Sequence, residues 1–161
     1  VLIIGKTEGH IDQSLFARTI LDEKNGPPPE VNLFNEKNNG ESILNLIDKG
    51  YVKSAHDISL GGLLVAISKM CIKGNKGIKI NKSKNLINEI EYFFAEDQGR
   101  YLIEINKDDL KEVTKILNKN SVHHEELGII TQNDMIINEK TKVTIDELKS
   151  YYTNWLSNYM S

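Results

Sequence analysis

One stretch restricts the fold more than any other: Ala55-His56-Asp57-Ile58-Ser59-Leu60-Gly61-Gly62-Leu63-Leu64-Val65-Ala66-Ile67-Ser68-Lys69-Met70. Tyr51-Val52-Lys53-Ser54-Ala55 reads as a strand end, and a polar turn leads from it into two glycines. After Gly62, apolar residues fall at Leu63, Leu64, Ile67, Met70 and Cys71, the spacing of one helical face. A strand–turn–helix junction gathers free backbone N–H groups and the positive end of a helix dipole at one point, and glycines let an anion approach closely. Two readings of the turn stay open: Asp57 and Ser59 cap it, or Gly61 and Gly62 present N–H groups to a phosphate. A hydrolase triad of His56, Asp57 and Ser59 is disfavoured, because neighbouring side chains on a strand point to opposite faces.

Around this junction the chain alternates strands and helices. Val1–Ile4 is a buried strand closed by Gly5, and Ser14 caps a helix from Leu15 to about Asp22. Gly26-Pro27-Pro28-Pro29 is a stiff extended connector. Ile43, Leu44 and Ile47 mark one face of a helix over 39–49, ended by Gly50. Gly74 ends the central helix, and Gly77–Ile80 forms a short strand. Asn85–Phe94 fits either helix or extended chain. Arg100–Ile105 alternates as a strand, and Leu110, Val113, Ile116 and Leu117 form the next helix face. The tail predicts strands at Glu126–Thr131, Met135–Ile137 and Lys142–Ile145. A last helix follows, capped by Thr144 and Glu147, with Leu148, Tyr152, Trp155 and Tyr159 on one face. The pattern is that of one α/β (α+β) domain over 1–161, a mixed β-sheet with helices packed on its faces.

A second polar constellation, Phe93-Phe94-Ala95-Glu96-Asp97-Gln98-Gly99-Arg100-Tyr101, sits in a turn before a strand. Either Arg100 pairs with Glu96 or Asp97 as a satisfied corner, or Glu96 and Gln98 meet a polar substrate. His123-His124-Glu125-Glu126 lacks the spacing of a helical zinc site, so no metal ligands are assigned. Cys71 is inert packing, and the C-terminal aromatics belong to the core or to a domain interface.

Bulk properties exclude several classes. The 20 basic and 23 acidic residues are interspersed, and the only arginines are Arg18 and Arg100, so no nucleic-acid surface is expected. No apolar run approaches the ~18–20 residues of a membrane span. One cysteine rules out an intrachain disulfide and fits a reducing cytoplasmic location. An opening directly into an apolar strand at Val1 predicts a segment of a longer polypeptide.

Taken together and in order, Ala55-His56-Asp57-Ile58-Ser59-x-Gly61-Gly62-Leu63 and Phe94-x-Glu96-x-Gln98-x-Arg100 resemble the second C-terminal, AIR-synthase-related domain of PurL-type phosphoribosylformylglycinamidine synthases. Ile4-Gly5-Lys6-Thr7 through Ser14 resembles the entry of that domain. Leu127-Gly128-Ile129-Ile130-Thr131 and Val143–Leu148 resemble its close, so the likeness covers essentially the whole chain. It implies an ATP-dependent ligase of purine biosynthesis that joins glutamine-derived ammonia to formylglycinamide ribonucleotide. It also implies ATP and Mg²⁺ as cofactors of the full-length enzyme, the remaining domains of the same chain as partners, and a glutaminase that supplies ammonia. On this resemblance His56, Asp57, Ser59, Gly61, Gly62, Glu96, Gln98 and Arg100 are the candidate phosphate- and substrate-binding residues for a phosphorylated, nucleotide-like molecule. No catalytic residue is assigned to this segment. Leu60 stands where the family usually has Asp or Glu, and Asp12-Gln13 replace a usual Gly-Gly pair. Apart from its companion half, the segment is expected to be inactive and to expose an apolar face that drives dimerisation.

Overall fold

Leu2, Ile3 and Ile4 are all buried because their strand lies inside a sheet and both faces of that sheet are covered. The computed structural model describes residues 1–80 and 88–161. Strand β1 (Leu2–Ile4) pairs antiparallel with β4 (Arg100–Ile105) on one side and β5 (His124–Glu126) on the other. Strand β2 (Val52–Ile58) lies outside β4, giving the order β2-β4-β1-β5. Alternation sends Ile3, Ile58 and Leu102 to one face and Leu2, Ile4 and Ile103 to the other.

Each face meets its own cover. Leu2, Ile4 and Ile103 pack on α2 (Leu33–Asp48) through Ile43 and Leu46, and on α5 (Leu110–Lys119) through Val113 and Leu117. The opposite face packs on α3 (Gly62–Gly74) through Leu63, Ala66, Ile67 and Cys71, and on α4 (Glu89–Phe94) through Tyr92 and Phe93. Beyond these lies a second sheet of β3 (Gly77–Ile80), β6 (Gly128–Thr131), β7 (Asp134–Ile137) and β8 (Thr141–Thr144), in the order β6-β3-β7-β8. The β3–β7 pair is parallel and its neighbours are antiparallel, which makes this sheet the mixed one. Helix α1 (Leu15–Thr19) follows the first loop, and α6 (Ile145–Met160) leaves the second sheet.

The expected α/β (α+β) architecture is present, with its strands divided between two sheets. Several local expectations need correction. The α1 helix stops at Thr19, short of Asp22, whose φ of 54° is left-handed. The α2 helix starts at Leu33 behind an Asn32 cap, well before residue 39. Its buried face runs Asn39, Ser42, Ile43 and Leu46, while Leu44 and Ile47 point to solvent. The segment expected as one strand over 126–131 is two: Leu127 carries the chain from the first sheet to the second. Ile145 opens α6 instead of ending a strand. Of the ambiguous Asn85–Phe94, residues up to 87 lie outside the described residues; the remainder is helix, opened by a reciprocal Asn88–Glu91 capping box.

Candidate functional site

Two junctions converge above the β2–β4 edge, and one carboxylate joins them. Ser14 caps α1 by accepting the Ala17 N–H, which leaves the Leu15 N–H free to point outward. At the other junction Gly61 precedes α3 with φ 87° and no side-chain cap. Glu96 Oε1 accepts both: the Leu15 N–H at 2.7 Å and the Gly61 N–H at 2.8 Å. The Glu96 N–H in turn donates to the His10 carbonyl at 3.0 Å. The Gly62 N–H closes the turn onto the Ser59 carbonyl at 2.9 Å. The anion held at this helix start is thus the protein's own Glu96 carboxylate.

Asp97 repeats the device one residue on. Its Oδ2 accepts the Glu8 and Gly9 N–H groups, and its Oδ1 accepts the His10 N–H, at 3.0, 3.1 and 3.0 Å. The loop after β1 is thereby wrapped around one buried carboxylate. Behind it Arg100 is 1% exposed. Its guanidinium donates to the Ala95 carbonyl, the Asp97 carbonyl and Thr7 Oγ1, and stands 3.8 Å from Asp97 Oδ2. Burial pulls the Arg100 guanidinium below its ordinary pKa, and the Asp97 charge opposes that pull. Among the described residues no buried side-chain nitrogen or oxygen lacks a hydrogen-bond partner, as buried charged groups require.

Two clefts open on the domain, and of the two only the polar one touches this corner, through Asp97 and the loop it holds. A polar one of about 620 Å³ is lined by Lys6, His10, Asn35, Glu36, Gln98 and His123, among others. A larger, more apolar one of about 960 Å³ includes His56, Met70, Cys71, Glu104 and Tyr152. Burial pushes the Cys71 thiol up to about 11, so it is protonated at neutral pH. Among the described residues no group of three or more His, Cys, Asp or Glu side chains is placed to hold a metal ion. Likewise, no described helix is long and apolar enough to cross a membrane.

Residues 1–138, carrying both sheets up to the end of β7, match the AIR synthase related protein, C-terminal domain. The chain belongs to this family. It is similar to the phosphoribosylformylglycinamidine synthase subunit PurL of Pelagibacter ubique, 67% identical over 160 residues, which are 99% of this chain and 22% of that protein. Its fold is that of T. maritima PurL complexed with FGAR, with a TM-score of 0.75 at 21% identity over 92% of this chain and 27% of that one. T. maritima PurL complexed with ATP superposes with a TM-score of 0.67 at 18% identity, over 91% of this chain and 25% of that one. The chain therefore spans about a fifth of the length of the curated relative it matches.

Within this family domain the candidate residues separate into two groups. Gly61, Gly62, Glu96 and Arg100 are brought together, and they build the corner. Their polar groups meet protein partners: the Gly61 N–H donates to Glu96, the Gly62 N–H to the Ser59 carbonyl, and Arg100 to the Ala95 carbonyl. His56, Asp57, Ser59 and Gln98 stay accessible, but His56 lines the apolar cleft and Gln98 the polar one. His56 Nδ1 lies 3.4 Å from Asp57 Oδ1 despite their adjacency on β2, and it also meets the Asp57 carbonyl. Gln98 Nε2 donates to the Glu96 carbonyl at 3.5 Å. Leu60 is exposed beside them. In the His123–Glu126 segment, Glu125 accepts from the Tyr92 hydroxyl and His124 Nδ1 meets the Val122 carbonyl. Asp97 stands near Arg100, one of the two pairings the acidic turn suggested, whereas the Thr7 hydroxyl and the Leu15 N–H are members of the site that residue patterns alone did not pick out. A glycine inside the polar loop Lys6–His10 was the available signal, because Gly9 takes φ 91° where the loop turns onto Asp97.

Proposed function

We propose that this chain is a domain of an ATP-dependent phosphoribosylformylglycinamidine synthase. That enzyme converts formylglycinamide ribonucleotide and glutamine-derived ammonia to the amidine in purine biosynthesis. The observation that carries the proposal is the 67% identity to a PurL subunit over 160 residues. A match of that level along the full segment goes well beyond a shared fold.

In this reading the segment supplies a wall of a binding site and no reacting group. Glu96, Asp97 and Arg100 hold the turn, Gly61 and Gly62 let it close, and the accessible Gln98 faces the phosphorylated ligand from the polar cleft, while His56 lines the other cleft and lies apart from it. The corner itself does not fit ATP phosphates or Mg²⁺, since its N–H groups donate internally and no described acidic cluster is placed for a cation. Those groups belong to other domains of the longer polypeptide, and a glutaminase supplies the ammonia in the cytoplasm. Separated from its companions, the segment associates with itself through its uncovered apolar residues.

The test is turnover by the full-length polypeptide with formylglycinamide ribonucleotide, ATP, Mg²⁺ and ammonium, followed by ADP release and amidine detection. Substrate-dependent ADP release is expected from the full-length protein and none from residues 1–161 alone. A full-length protein without turnover overturns the assignment. Turnover by the segment overturns the claim that the reacting groups lie elsewhere.

A further inference from the structure

The sequence carries the dipeptide Asn-Gly twice, at Asn25-Gly26 and at Asn39-Gly40, and the fold treats the two in opposite ways. In this dipeptide the backbone nitrogen readily attacks the preceding side-chain amide, because glycine has no Cβ to obstruct the approach. Within α2, Asn39 is buried and its Nδ2 donates to the Gly99 carbonyl at 2.9 Å. The Gly40 N–H there belongs to the helix ladder, so both reacting groups are held.

Asn25 and Gly26 lie instead in the strap of residues 20–32 that joins α1 to α2, and both are exposed and outside any helix or strand. Gln13 Nε2 clamps this strap, donating to the Lys24 carbonyl at 2.8 Å and to the Gly26 carbonyl at 3.2 Å. His10 Nε2 meets the Pro27 carbonyl at 3.0 Å. The peptide unit between the two clamped carbonyls is not held. Among the described residues no hydrogen bond engages the Asn25 side chain or the Gly26 N–H.

We propose that Asn25 is a site of spontaneous deamidation, and that its isoaspartyl product opens the Gln13 clamp on the strap. The Gly26 nitrogen, having lost its proton, attacks Asn25 Cγ and closes a succinimide ring. The Cγ–Nδ2 bond breaks, and the amide nitrogen leaves as ammonia carrying a proton in place of the one lost. Water then adds to one of the two ring carbonyls and breaks its bond to the ring nitrogen. Opening at the side-chain carbonyl gives aspartate. Opening at the main-chain carbonyl gives isoaspartate, whose backbone runs through Cβ and Cγ. The added methylene falls between the two carbonyls that one Gln13 nitrogen holds, so their spacing no longer fits it. Either product also puts a carboxylate next to Gly26, where a Cβ would already lie 2.6 Å from Asp12 Oδ2, and like charges repel. The strap then lifts from the first loop, taking Glu30 and Asn32 from the polar cleft they line.

The experiment incubates the full-length polypeptide at neutral pH, folded and in urea, and samples it over weeks. Peptic digestion in acid and fragment masses locate each amide-to-acid conversion, and enzymatic methyl transfer from S-adenosylmethionine tells isoaspartate from aspartate. In the folded protein Asn25 should convert within about threefold of its rate in urea, whereas Asn39 should be slowed about tenfold or more. An Asn25 slowed as much as Asn39 overturns the site. For the clamp, hydrogen exchange over residues 20–32 is compared between the isoaspartyl fraction and Asn25→Asp, which adds the charge without the methylene. Faster exchange in the isoaspartyl fraction is expected. Exchange no faster than in Asn25→Asp overturns the opening of the clamp.

Discussion

Glu96 accepts the Gly61 N–H at 2.8 Å, joining the start of α3 to the turn before β4 across 35 residues of sequence. The same oxygen takes the Leu15 N–H, so three chain segments meet on one carboxylate. Glu96→Ala leaves both donors without an acceptor and should destabilise the domain by about 2–3 kcal/mol, whereas Glu96→Gln, which keeps an acceptor oxygen, should lose about 1 kcal/mol. Urea unfolding of the two variants checks this order. An alanine variant as stable as the parent would show that the junctions hold without the carboxylate.

Asp97→Asn removes the carboxylate that interacts most strongly with the buried Arg100 guanidinium and turns an amide group toward N–H donors of the first loop. Breaking a buried charge pair from one side should lower stability by about 3–5 kcal/mol. Hydrogen exchange at Glu8, Gly9 and His10 should accelerate together, ahead of the β1 amides. Unchanged protection at those three positions would mean that the loop is ordered by something other than Asp97.

Gly62 and Gly74 open and close the same helix, and their substitutions should have opposite signs. A Cβ at Gly62 would lie 2.6 Å from the Ala95 carbonyl oxygen and 2.7 Å from the Phe94 carbonyl carbon, with φ at 70°. Those neighbours are backbone and cannot swing aside, so Gly62→Ala should cost about 2–4 kcal/mol. At Gly74 a Cβ meets nothing within 4 Å, and Gly74→Ala should stabilise by about 0.5–1 kcal/mol. Thermal melts of both variants decide it.

Cys71 should resist iodoacetamide in the native protein at pH 8 and react at once in urea, because burial pushes the thiol up to about 11. The unfolded thiol releases its proton near pH ~8.5 while the folded one retains it. Between those two values the folded state binds more protons, so this group's contribution to stability falls as pH rises from about 9 to about 11. Cys71→Ala should flatten that decline in unfolding curves taken across the range.

Elements signalled by adjacent residues were legible in the sequence: the Ser14 and Thr144 caps, the β4 alternation, and the α3 face from Leu63 to Cys71. The buried face of α2 was not. Two of its four positions are Asn39 and Ser42, whose burial depends on partners distant in sequence. Asn39 Nδ2 donates to the Gly99 carbonyl, and Ser42 Oγ accepts from Asn120 Nδ2, so hydrophobic periodicity pointed to Leu44 and Ile47 instead. The start of α2 was hidden for a related reason, since Leu33 and Phe34 are apolar yet exposed. In the candidate site, the glycine pair and the acidic turn were each visible as local patterns. Their relation was not, because nothing near Gly61 indicates that Glu96 is its acceptor.

The central position of β1 bears on the order of events at the ribosome. Ile3 is synthesised among the first residues of the domain, yet its partners are Leu102 and Glu125. The strand that belongs in the middle of the sheet must wait for most of the domain to emerge, and the sheet can close only after β5 has left the exit tunnel. Such high contact order slows folding and leaves Leu2, Ile3 and Ile4 open to chaperones or wrong pairings in the interval.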